Sequence, residues 1–191
     1  MVTIVRVVLA AILCSLVSTS LMAEDLKALV ILYLEASNRH DLATLRRMTA
    51  TDATWQLGPD LLVGRDAVLG PNAWDAGAKT RLQWSNIVVK GNVVEFELVE
   101  HNDFLDALGM ELRHFPRFDI EGGLVRHKEP RKPDAGRDER KFALLRAWVG
   151  EHHPEALAKL RTPDGKAVYT EEAGRVAAQL AREWAALQKA R

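Results

Sequence analysis

At 191 residues the chain has room for one domain with an extension and is thin for two. Hydrophobic residues are 48% and charged residues 27%, which excludes bulk disorder, collagen-like repeats and a multi-span membrane protein. Lys+Arg and Asp+Glu balance at 26 each, so no net positive field draws in nucleic acid, and a single cysteine forbids a disulfide framework within the chain.

Residues 1–23 differ from the rest. Arg6 is their only charge, Val7 to Val17 is nearly all apolar, and Ser18, Thr19, Ser20 and Ala23 are small. This is the pattern of a secretory signal peptide, and the apolar run is shorter than a spanning helix needs. Cleavage after Ser20 and after Ala23 both fit; an uncleaved anchor is the alternative. The expected location is periplasmic or secreted, with no stable membrane insertion after cleavage. Cleavage also removes Cys14, which excludes thiol catalysis, zinc–thiolate sites and disulfides from the mature protein.

Leu26, Leu29, Val30, Tyr33 and Leu34 recur at helical spacing and predict a helix over 25–38. Asp41 is placed to cap a second short helix carrying Leu42, Leu45 and Met48. Thr51 to Leu57 reads as a turn into one short strand. Gly64-Arg65-Asp66 opens a third helix, which Gly70-Pro71 is expected to interrupt early.

The period then changes to two. Leu82–Val89 and Val93–Asp103 read as strands joined by a hairpin at Lys90-Gly91-Asn92, Met110–Ile120 as a third long strand, and Leu124–Glu129 as a fourth. Helices followed by a run of antiparallel strands make an α+β pattern. Residues 130–136 read as a linker. Beyond it come a helix carrying Phe142, Leu145, Trp148 and Val149, a shorter one from Pro154 to Leu160, and a last one from Thr170 carrying Val176, Leu180, Trp184 and Leu187.

Four local words occur in order: Tyr33 to Leu42, Asp52-Ala53-Thr54-Trp55, Gly64-Arg65-Asp66-Ala67-Val68, and Phe118 to His127. Together they resemble the SnoaL-like branch of the nuclear transport factor 2-like superfamily over about residues 25–129. The resemblance implies a cone: a curved antiparallel sheet wrapped around N-terminal helices, enclosing an apolar pocket. It divides the chain into a signal peptide (1–23), a SnoaL-like domain (24–130) and a linker with a C-terminal helical extension (131–191). Proteins of this fold include ketosteroid isomerase, limonene epoxide hydrolase, scytalone dehydratase and polyketide cyclases, and also non-catalytic binding modules, so fold alone leaves function open.

Tyr33 falls where the tyrosine of ketosteroid isomerase would sit. The acidic partners of that enzyme do not carry over: Gln56, Leu57 and Pro116 stand at the nearest positions. Strand period offers another constellation. Val94, Phe96, Leu98, Glu100 and Asn102 share one face, and Leu112, His114, Pro116, Phe118 and Ile120 share another. Pairing Glu100 with His114 would bring a carboxylate and an imidazole together on the apolar side; a one-residue slip pairs Glu100 with Arg113 instead. A polar pair that only satisfies itself is the plainer alternative. The catalytic candidates are therefore Glu100, His114 and Tyr33, and the ligand-binding candidates Trp55, Trp84, Asn102 and Phe118. For either tryptophan, core filling is the competing role. His127 matches a histidine common in the family. His152-His153 suit a helix end, and His101-x-Asp103 lacks an evident third ligand, so no metal and no cofactor are expected.

Two functions follow. One is binding of a small, mostly apolar molecule, with proton-transfer chemistry of the isomerase, cyclase or hydrolase type open. The other is a non-catalytic interaction module on the same fold, through dimerisation (a homodimer among the options) or partner binding. A hollow with converging polar groups favours the first; a filled cone with an exposed apolar patch favours the second.

Overall fold

The computed structural model describes residues 23–189. The leader predicted over 1–23 lies outside these residues except for Ala23. Helix α1 occupies 23–38, and α2, Leu42–Met48, starts at Asp41, whose carboxylate accepts from the Thr44 amide. Strands β1 (Thr49–Leu57) and β2 (Asp60–Val63) form a hairpin around Gly58-Pro59, with Gly58 at φ 60°. The sequence reading had one strand here. The second, Asp60–Val63, is short and largely exposed, and leaves little period to read.

Helix α3 spans Arg65–Ala78 and passes through Pro71. The expected early break does not occur. Proline costs about 3 kcal/mol in a helix interior, but Val68, Leu69, Pro71 and Asn72 are all buried, so tertiary packing on both sides holds the helix together.

Strands β3 (Arg81–Lys90) and β4 (Val93–His101) pair around Gly91. Asn102 ends β4 by capping a short helix, α4 (Asp103–Ala107), with its side-chain oxygen on the Leu105 amide. That helix lies where a plain connection was expected. The predicted 110–120 strand is two pieces, β5 (Leu112–His114) and β6 (Pro116–Glu121), separated at Phe115. Both lie on β4 in a common register: Glu100 opposite Leu112, Leu98 opposite His114, Val94 opposite Phe118. Strand β7 is Leu124–Pro130. The sheet order is β2-β1-β7-β6-β4-β3, with β5 also on β4. The β1–β7 pairing is parallel, so the curved sheet is mixed rather than wholly antiparallel.

The inner face carries the core. Val94 and Phe96 are fully buried, and with Phe118, Ile120 and Val125 they meet Val30, Tyr33, Leu34 and Leu45 of α1 and α2. Phe118 meets Tyr33 and Phe96 edge-to-face, at centroid distances of 5.5 and 5.1 Å. The C-terminal extension forms α5 (Glu139–His152), α6 (Pro154–Leu160) and α7 (Glu171–Lys189). It docks in cis: Leu145, Val149, Leu180 and Trp184 pack with Leu105, Leu108 and Leu112 in a second core. Helix α7 crosses α3 at glycines. A Cβ on Gly77 would lie 1.9 Å from the Glu171 carbonyl oxygen, and one on Gly174 would lie 2.0 Å from that of Trp74.

Candidate active site in the cone

The helical layer does not fill the sheet. A cavity of about 1130 Å3 remains, walled by the inner face, by α1 and α3, and by segment 161–169 of the extension. Trp55, Phe96, Leu98 and Phe118 supply apolar walls; Tyr33, Asp75, Glu100, His114 and Lys128 supply polar groups.

Glu100 and His114 meet, although not as direct cross-strand partners. They are diagonal neighbours on the inner face, with His114 Nε2 2.8 Å from Glu100 Oε2. His114 Nδ1 lies 3.0 Å from Asp134 Oδ1. The imidazole is therefore clamped between two carboxylates. Burial works to lower its pKa, but the hydrogen bonds and charges of Asp134 and Glu100 prevail and raise it to about 10. At neutral pH it is an imidazolium with both N–H groups engaged. Glu100 Oε1 accepts from Asn102 Nδ2 at 2.7 Å, and Thr80 Oγ1 donates to Asp75 Oδ1 at 2.9 Å.

Tyr33 is 2% exposed, and its hydroxyl accepts from Lys128 Nζ at 3.3 Å. Burial pushes the phenol up to about 12, opposed by the Thr49 side chain and aided by the Asp75 charge. Lys128 is 3% exposed, and its ammonium nitrogen stands 3.5 Å from the centre of the Trp55 ring. Burial lowers its pKa to about 7, against the pull of Asp75. Asp75 keeps partial exposure on the cavity wall. Burial and the Glu100 charge drive its pKa well up from the usual carboxylate range, opposed by Thr80, Lys128 and His114.

Sequence reasoning missed Asp75 and Lys128. Ending the third helix at Gly70-Pro71 removed Asp75 from any element. Lys128 faces inward because of a bulge: Asp119 pairs with His127 but Ile120 with Val125, so Arg126 is the extra residue and Val125 and Lys128 share the buried side. Strict alternation from Val125 would have turned His127 inward. His127 instead meets Thr54 Oγ1 through Nδ1 at 2.7 Å. Among the ligand-binding candidates, Trp55 and Phe118 line the cavity. Trp84 does not: it packs against the core on β3. Asn102 caps α4 and steadies Glu100, and borders a smaller neighbouring hollow rather than the cone. His101 faces Asp106 at 3.8 Å and Glu111 at 3.4 Å, while Asp103 pairs with Lys79 and Arg182. No group of three or more potential metal ligands occurs among the described residues.

No family model matches the sequence. No curated protein matches it either. Solved structures do resemble it. A putative ketosteroid isomerase from Kribbella flavida aligns at TM-score 0.50 and 17% identity, over 61% of this chain and 87% of that one. An LEH-like epoxide hydrolase from M. tuberculosis aligns at TM-score 0.50 and 16% identity, over 70% and 98%. A putative SnoaL-like polyketide cyclase from Jannaschia aligns at TM-score 0.50 and 12% identity, over 66% and 91%. All three alignments take in nearly the whole of the other protein and leave about a third of this chain outside. The chain therefore has the fold of the SnoaL-like, nuclear transport factor 2-like superfamily, extended by C-terminal helices.

Proposed function

We propose that the cone binds a small, mostly apolar carbonyl compound and moves a proton on it. The observation that carries this reading is Asp75: a carboxyl with raised proton affinity in the lining of a largely apolar cavity that Tyr33 and Lys128 also line. Asp75 as carboxylate takes a proton from the carbon next to the carbonyl. The electron pair moves onto the carbonyl oxygen, where the neutral Tyr33 hydroxyl and the Lys128 ammonium stabilise the developing charge. Tyr33 accepts from Lys128 and so keeps its O–H as a donor. Glu100 and His114 keep a role as a fixed charge pair whose field raises Asp75 and limits that rise. The likeness in fold to a putative ketosteroid isomerase, an epoxide hydrolase/cyclase-like enzyme and an epoxide hydrolase supports proton-transfer chemistry in such a cone.

The test uses β-tetralone, a fused-ring ketone with exchangeable protons beside its carbonyl. Binding should raise the melting temperature by mass action. In heavy water the protein should accelerate deuterium uptake at those carbons, and Asp75→Asn should cut the acceleration by at least about 100-fold with the fold intact. Uptake at the buffer rate with β-tetralone bound rejects the chemistry; no binding rejects the apolar-ligand reading as well.

The apolar leader supports export to the periplasm or the cell exterior. N-terminal sequencing of the protein from its native host should begin near Glu24, and an intact leader on the mature chain would contradict it.

A further inference from the structure

A second hollow, of about 330 Å3, lies between the C-terminal helices and the end of the sheet. Phe104, Leu112, Leu145, Val149, Leu157 and Leu180 wall it. It does not stand apart from the cone: Trp74, Glu100, Arg137, Arg161, Ala167 and Tyr169 border both cavities. The two spaces share a wall.

Four of the polar side chains around this slot, Asn102, Glu100, Arg137 and Arg161, are committed to protein partners. Asn102 caps α4 with its oxygen and donates to Glu100 with its nitrogen. Glu100 turns its other oxygen to His114. Arg137 pairs with Glu139, and Arg161 donates to the Gly165 carbonyl at 2.6 Å. A polar guest would lose its hydration here and gain little in return, whereas a hydrocarbon guest loses only contact with water.

We infer that the slot takes an unbranched aliphatic chain belonging to the ligand whose carbonyl head occupies the cone. The substrate class is then an amphipathic carbonyl compound that carries an aliphatic chain beyond the group held in the cone. This rests on the cone reading above and adds the chain to it. Six lining residues common to both spaces place the slot within reach of a chain carried by a ligand in the cone. The smaller volume of the slot argues for a chain of limited length.

Methyl n-alkyl ketones, from propyl to octyl, test it by calorimetric titration of the full-length protein. Affinity should rise about fourfold per added methylene, the equivalent of about 0.8 kcal/mol each, and level off once the slot is full. Ala177 and Leu157 line the slot and not the cone. Ala177→Phe and Leu157→Trp should each bring the plateau to a shorter chain, with β-tetralone, which has no chain, as the control for an intact cone. A flat series from a protein that binds β-tetralone overturns the chain slot and leaves the cone reading standing. A slope identical in wild type and in both variants overturns it too, because the chain then lies elsewhere. Failure of every ketone, β-tetralone included, rejects the cone reading and the slot together.

Discussion

Burial lowers the proton affinity of both cations in the cone, Lys128 and His114, but the carboxylates flanking His114 reverse its net shift. Lys128 is lowered from 10.5 to about 7, so between these values the unfolded chain holds the extra proton and stability rises with pH. His114 is raised from 6.5 to about 10, so its contribution is full below 6.5 and is lost as pH climbs to 10. The windows overlap and the slopes oppose. Wild-type stability should therefore vary little between pH 7 and 10 on account of this pair. Lys128→Met should expose the His114 slope, with the melting temperature falling across that range. His114→Gln should expose the Lys128 slope, with the melting temperature rising. Parallel profiles for the two variants would show that the clamp or the lysine burial is misassigned. His114 was legible from strand period, because every second residue of a strand shares a face. Lys128 was not, because a one-residue bulge reverses that parity and leaves no mark in a single sequence.

The α3–α7 crossing is the element contact on which the site depends most. It fixes the Trp74 and Asp75 end of α3 against the extension, and it exists because Gly77 and Gly174 let two helix backbones approach closely. Alanine at either position gains up to about 1 kcal/mol in helix propensity. Its Cβ, however, would sit about 2 Å from a backbone oxygen that cannot rotate away. Overpacking of this kind costs about 1–3 kcal/mol, so Gly77→Ala and Gly174→Ala should each lower stability to urea, and Trp184 fluorescence should report α7 loosening. Equal or greater stability would mean that the helices lie further apart. The reading of α3 itself shows where local rules fail. Gly70-Pro71 is a strong local stop signal, and the buried neighbours of Pro71 override it. Asp41, Asn102 and Asp138, by contrast, cap their helices with their own side chains, using only residues close by in the chain.

At the scale of the whole molecule, the cone and its extension share a cavity wall and are joined by a second core. Ala173, Ala178, Leu180, Ala181 and Trp184 of α7 are all buried within the chain. Removing residues 138–189 would bare the partners of that face, so the truncated chain should aggregate or melt well below the full chain. A soluble truncation with an unchanged melting temperature would reduce the extension to an accessory. Among the described residues no helix is long and apolar enough to cross a membrane. The α+β order of the longer elements, the inward set Val94, Phe96 and Phe118, and the shared inner face of Glu100 and His114 followed from the sequence, because period and capping act over a few residues; the register that brings those two together did not. The parallel closure of β1 on β7, the inward turn of Lys128, the unbroken α3 that delivers Asp75 and the slot behind the cone were decided by tertiary structure. Each depends on contacts between segments far apart in the chain, and the free energy of burying their apolar surface outweighs the local preferences that a sequence displays.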